Sequence, residues 1–199
     1  MKHAIKSVVL GLLLLLTNGS IAYAQDFKKG SEAYKKKDYA TALREWRPLA
    51  AQGDADAQYN LGLIYDNGQG VTQDFAEALK WYRLSAAQGN GSAQYHLGLM
   101  YLSGEGVTQD YQEAAHWFRL VAALGGADAQ YNLGVMYGNG DGVIKDNVYA
   151  HMWFNVAASN GNTGGAQSRD SIAKSMTAAD ISKAQDLARA CVQKNFKGC

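Results

Sequence analysis

Apolar positions in the stretch ADAQYNLGLIYDNG fall at Ala57, Leu61 and Tyr65, a spacing of i, i+4 and i+8 that sets them on one face of a helix. The next segment, QDFAEALKWYRLSAAQG, carries Phe75, Ala78, Leu79, Tyr82 and Ala86 at helical spacing and stops at Gly89. Together they predict a helix A followed by a helix B. The pattern then returns: Ala57, Ala93 and Ala129 stand 36 residues apart, and the A-type stretch reappears as AQYHLGLMY and AQYNLGVMY. No segment alternates as a strand does, and the chain has a single proline. A fixed period in this range marks stacked units, none of which can bury its apolar stripe alone. The expected fold class is all-α: a right-handed α/α solenoid of stacked helix-turn-helix repeats with a C-terminal capping helix.

Punctuation between the helices recurs with the same period. Gly53, Gly89, Gly125 and Gly161 each follow a B-type helix, where a left-handed residue commonly ends the helical backbone. Asp38, Asp74, Asp110 and Asp146 each open a B-type helix, where a short acceptor caps free N–H groups and suits the positive end of the helix dipole. Their predicted role is structural. Gly62, Gly98 and Gly134 lie inside A-type helices, at a cost of about 1 kcal/mol each relative to alanine. Such glycines are expected to let a partner helix come close.

The pattern A-x-x-x-L-G-x-x-Y-x-x-G-x-G-V, followed by D-x-x-x-A-x-x-W-[YF]-x-x-x-A-A-x-x-G, resembles the Sel-1-like repeat, a relative of the tetratricopeptide repeat. Residues 57–89, 93–125 and 129–161 match it, with Trp81, Trp117 and Trp153 in register. The expected organisation is a signal peptide over 1–24, a tetratricopeptide-like repeat over 25–53, three Sel-1-like repeats over 54–89, 90–125 and 126–161, and a degenerate cap over 162–199. In the first repeat Trp46 stands where the later ones place Tyr82, Phe118 and Phe154, and Pro48 is expected to kink its B helix. In the cap, Ala166-Gln167 persists but the Leu-Gly pair is lost. Thr177 with Asp180 forms a capping-box-like start to a last helix, whose inner stripe is Ile181, Ala184, Ala188 and Cys191.

Residues 1–24 begin with Lys2 and Lys6, run apolar from Val8 to Leu16, and close on Ala22-Tyr23-Ala24. This is the form of a secretory signal peptide with an A-x-A cleavage site; a spanning helix needs about 20 apolar residues, and the run breaks at Thr17. Cleavage after Ala24 predicts a periplasmic or secreted protein with no membrane span, its Lys and Arg falling from 19 to 17 against 18 Asp and Glu. Near-neutral charge excludes a long-range pull on nucleic acid or anionic lipid. The local excess at Lys28, Lys29, Lys35, Lys36 and Lys37 reads as the solvated face of a terminal helix.

Export would carry Cys191 and Cys199, the only cysteines, into an oxidising compartment where a pair normally bridges. Their spacing is similar to that in a cysteine-rich subgroup of the Sel-1-like family, which carries a bridge in nearly every repeat. Catalytic chemistry finds little footing. His96, His116 and His151 fall at three different positions of the repeat, so they predict no metal or catalytic cluster. Ser171 and Lys174 form an S-x-x-K, but the companion S-D-N and K-T-G elements are absent. No cofactor, metal or catalytic residue is predicted.

Family resemblance implies a non-enzymatic adaptor, a monomer that binds other proteins. A β-lactam-binding or β-lactamase-like hydrolase, as attributed to cysteine-rich relatives, is one alternative, and a glycan- or peptidoglycan-binding adaptor is another. By tetratricopeptide geometry, Tyr59, Leu63, Tyr95, Leu99, Tyr131 and Val135 turn toward the concave surface, bordered by Asp66, Asn67, Leu102 and Asn139. The three tyrosines either receive a partner segment or only fill space between A helices.

Overall fold

The structure, a computed structural model, describes residues 26–199, so the signal peptide and its cleavage site lie outside the described residues. Ten helices and no strand occur among the described residues. They are α1 (26–35), α2 (Tyr39–Ala51), α3 (Ala55–Asn67), α4 (Phe75–Ala87), α5 (Gly91–Ser103), α6 (Tyr111–Ala123), α7 (Ala127–Asn139), α8 (Asn147–Ser159), α9 (Gly165–Ala173) and α10 (Ala178–Gln193). The chain forms an all-α solenoid of repeats and divides within α4 into two compact units, the first ending at Leu84 and the second beginning at Ser85.

In the first unit, α1 to α3 close over Ala33, Leu43, Trp46, Leu49, Leu61 and Ile64, with Trp81 packed against them. Pro48 lies inside α2, and the helix runs past it to Ala51. The basic cluster is exposed at Lys28, Lys35, Lys36 and Lys37, while Lys29 reaches Glu45 on α2 at 2.8 Å. Glu45 is buried, and hydrogen bonds from Lys29 and then Arg44 hold its carboxyl below the usual range.

The second unit packs α5 to α8 and α10 around Phe118, Leu133, Met136, Met152, Trp153, Val156, Ala184 and Ala188. Asp110 accepts from the Gln112 and Glu113 N–H groups, and Asp146 from those of Val148 and Tyr149. The reciprocal pair at the start of α10 also forms, Asp180 N–H donating to Thr177 Oγ1 at 3.1 Å. Cys191 and Cys199 are joined, with Cα atoms 5.5 Å apart. Their loop folds Phe196 onto Gly125, where an added Cβ would lie 3.2 Å from the ring.

One device joins the helices within each A/B pair. A Cβ on Gly30 would stand 2.4 Å from Trp46, on Gly62 2.5 Å from Tyr82, on Gly98 2.6 Å from Phe118, and on Gly134 2.6 Å from Phe154. Each B helix thus lays an aromatic ring against bare A-helix backbone, which offsets the helix-propensity cost of the glycine. In the A-to-B turn, Gly142 has φ +66° and its missing Cβ would sit 2.3 Å from the backbone of Tyr111, so the turn of one repeat seats directly on the B helix before it.

A second recurring device lies outside the apolar pattern. Gln58, Gln94 and Gln130 are buried, and each Nε2 donates to a carbonyl at the end of the preceding B helix: Ala50 at 3.0 Å, Ala86 at 3.3 Å and Ala122 at 3.1 Å. A buried amide in this place stabilises only when bonded. Bonded, it ties each A-type helix to the helix before it, as a second donor to a carbonyl that already accepts from the terminal Gly53, Gly89 or Gly125 N–H.

Candidate functional site

The A-type helices carry every expected concave-face residue. On α3, Tyr59 packs its ring 6.0 Å from that of Tyr82. Tyr82 Oη donates to Asp66 Oδ2 at 3.0 Å, and burial, then the Asp66 carboxylate, pushes the Tyr82 hydroxyl well above the ordinary phenol range. Asn67 Nδ2 donates to the Leu63 carbonyl at 2.8 Å. Asp66 and Asn67 therefore act within the first unit's own structure.

The second unit repeats this layout with different chemistry. Tyr95 on α5 lies 5.7 Å from Phe118, and its Oη accepts from Asn132 Nδ2 on α7 at 3.3 Å. Tyr131 on α7 lies 5.4 Å from Phe154, and its Oη accepts from Ser168 Oγ on α9 at 3.3 Å. Both rings are half-buried, and burial pushes the Tyr95 hydroxyl upward. Tyr95 and Tyr131 thus each pack on their own repeat and bond to the next helix of A type or its degenerate counterpart. Leu99 and Leu102 are half-buried against the same core.

Where the first repeat pairs Asp66 with Tyr82, the second places Leu102 with Phe118 and the third Gly138 with Phe154. Loss of the phenolic donor removes the reason for an acceptor. At the third repeat Gly138 opens on a groove of about 310 Å³, lined with it by Val135, Asn139, Phe154, Ser168, Ser171 and Ile172. Val135 and Asn139 are two of the residues expected on the concave surface. Gly138 and the α9 residues are not among them, because the repeat is lost at α9 and no periodic signal marks them.

His96 lies on α5 and is half-buried, His116 is exposed beside Trp117, and His151 is buried on α8. Ser171 and Lys174 are both exposed. Among the described residues no group of three His, Cys, Asp or Glu could hold a metal ion, and no helix is long and apolar enough to cross a membrane. The side-chain geometry offers an open groove with apolar floor and polar rim, a surface suited to contact.

The model of the Sel1 repeat matches residues 55–90, 91–126 and 127–162. Among solved structures, the chain is similar to a Sel1 repeat protein from Oxalobacter formigenes, at 31% identity and TM-score 0.71, over 84% of this chain and 69% of that one. It is also similar to c5321, described as a protective antigen present in uropathogenic Escherichia coli strains displaying an SLR fold, at 30% identity and TM-score 0.62. That match covers 87% of this chain but spans only 46% of the E. coli protein. Among curated proteins nothing matches. Three adjoining matches over more than half of the residues, each bounded by the glycines and caps described above, establish that this chain belongs to the Sel1 repeat family.

Proposed function

We propose that this protein is an exported, non-enzymatic interaction module, acting in the periplasm or outside the cell as a monomer that holds a segment of another protein. The observation that carries this reading is the groove between α7 and α9, where Val135, Gly138 and Ile172 form an apolar floor and Asn139, Ser168 and Ser171 a polar rim. The family's general role in protein–protein contact supports it, and so does the Cys191–Cys199 bridge, which fits an oxidising compartment. Tyr95 and Tyr131, half-buried with their hydroxyls bonded to the next helix, offer little open stacking surface to a glycan.

A photo-crosslinking residue at Asn139 in intact cells should capture a discrete partner that reproducibly maps to the groove. Asn139→Arg, at an exposed rim position, should abolish capture and leave the melting temperature nearly unchanged. Equal capture by that variant would overturn the reading. Intact mass of the exported chain should begin at Gln25, and a retained leader would remove the export step.

A further inference from the structure

Position 79 of the first Sel1 repeat is Leu, position 115 of the second is Ala, and position 151 of the third is His. All three are buried, at 7%, 0% and 2% exposure. The histidine lies at the centre of the face of α8 on which α9 rests. At one end Gly165 meets backbone, since an added Cβ would stand 2.8 Å from the Phe154 carbonyl oxygen and 2.7 Å from Ala158 N. Next, Arg169 Nη1 donates to Asn155 Oδ1 at 3.1 Å, one turn from His151. At the other end Asn147 Nδ2 donates to Ser175 Oγ at 3.4 Å. Between these contacts His151 Nδ1 is buried with no hydrogen-bond partner.

The seat itself is weak. Gly165 is the one buried residue of α9, and Ile172 and Ala173 are its half-buried apolar residues. A helix held by so little apolar area opens at lower free energy than the core helices. Charge on the ring would meet only weak compensation. Burial holds the imidazole below the ordinary histidine range, Arg169 adds to this, and Asp170 opposes it. The Asp170 carboxylate is already engaged by Arg169 at 2.8 Å. On α7, Asp128 is taken by Asn162. On α10, Asp180 bonds to Thr177, Asp186 pairs with Arg189, and Lys183 is exposed. Apart from Tyr149, α8 carries no other ionisable side chain.

We propose that His151 is an acid-sensitive latch: protonation of its ring in a seat where the buried Nδ1 has no hydrogen-bond partner loosens α9 from α8. Because α9 supplies Ser168, Ser171 and Ile172 to the groove, release of the latch removes one groove wall. The acid response belongs to the cap itself and exists whether or not the groove holds a partner.

The sign follows from linkage. A histidine whose folded value lies below its unfolded value of about 6.5 leaves the closed seat at full strength above that pH and weakens it as pH falls. Amide hydrogen exchange of residues 165–175 in the full chain, corrected for intrinsic rates, reads the opening. Between pH 7.5 and 6.5 it should change little; below about 6.5 the opening constant should rise by up to about tenfold per pH unit. His151→Leu, which installs the residue of the first repeat, should make the opening independent of pH. A flat profile in the unaltered protein, or the same slope in His151→Leu, would overturn the latch. Should that variant fail to fold, NMR titration of His151 in the unaltered chain decides: a midpoint below about 6.5 supports the latch, and one at or above it does not.

Discussion

Gln130 shows what a fully satisfied joint between repeats looks like. Its Nε2 donates to the Ala122 carbonyl, and its Oε1 accepts from Asn160 Nδ2 at 2.8 Å. One repeat earlier, Gln94 makes the first bond, but its Oε1 is buried with no partner. The residue at the place of Asn160 is Leu124, which is 71% exposed and has the same helix-ending backbone, φ −91° against −95°. Leu124→Asn should therefore complete the Gln94 joint and lose little burial. A neutral hydrogen bond to a buried group is worth about 1 kcal/mol. The expected outcome is a rise of that size in unfolding free energy by denaturant titration, and an unchanged or lower value would show that the orphan oxygen is satisfied another way.

At the scale of elements, legibility follows the range of each interaction. Aspartate caps and terminal glycines act within three or four residues, so their spacing places the B-type helices α2, α4, α6 and α8, and the apolar stripe places the A-type helices between them. The glycine and aromatic pairs lie within one period and were readable as close packing, though the ring that fills each glycine notch was not. The glutamine joints were missed because Ala-Gln-Tyr recurs beside a stronger apolar stripe, and the partner of each amide is a backbone carbonyl that leaves no mark in sequence. The tyrosine hydroxyls find partners 37 residues away, beyond any local pattern. At α9 the period ends, and with it the sequence signal for half of the groove. The end of α10 is instead set by a covalent link. By the chain-entropy model a loop of this length is worth about 2.5 kcal/mol, so replacing both Cys191 and Cys199 with Ser should lower the unfolding free energy by about that amount. Thiol titration of the unreduced, unfolded native protein should find no free thiol, and two would remove the link.

At the scale of the whole molecule, the two units share a plan and differ in their polar pairs. The second unit fills its helix-pair joints with Phe118 and Phe154, which cannot ionise, whereas the first fills the corresponding joint with Tyr82 on Asp66. The Tyr82 hydroxyl is raised in the folded state, so its contribution is complete below the ordinary phenol value of about 10 and is lost as pH rises beyond it. Deprotonation would set a phenolate against a carboxylate in the centre of the joint. Strong alkali should accordingly reach the first unit through a single phenol. Tyr82→Phe combined with Asp66→Leu copies the pairing of the second repeat, and in circular dichroism it should shift the alkaline unfolding midpoint upward. An unmoved midpoint would place the alkaline limit elsewhere, but a shifted one would mean that the choice between a phenol and a phenyl ring, made once per repeat, decides how basic a surrounding the protein can withstand.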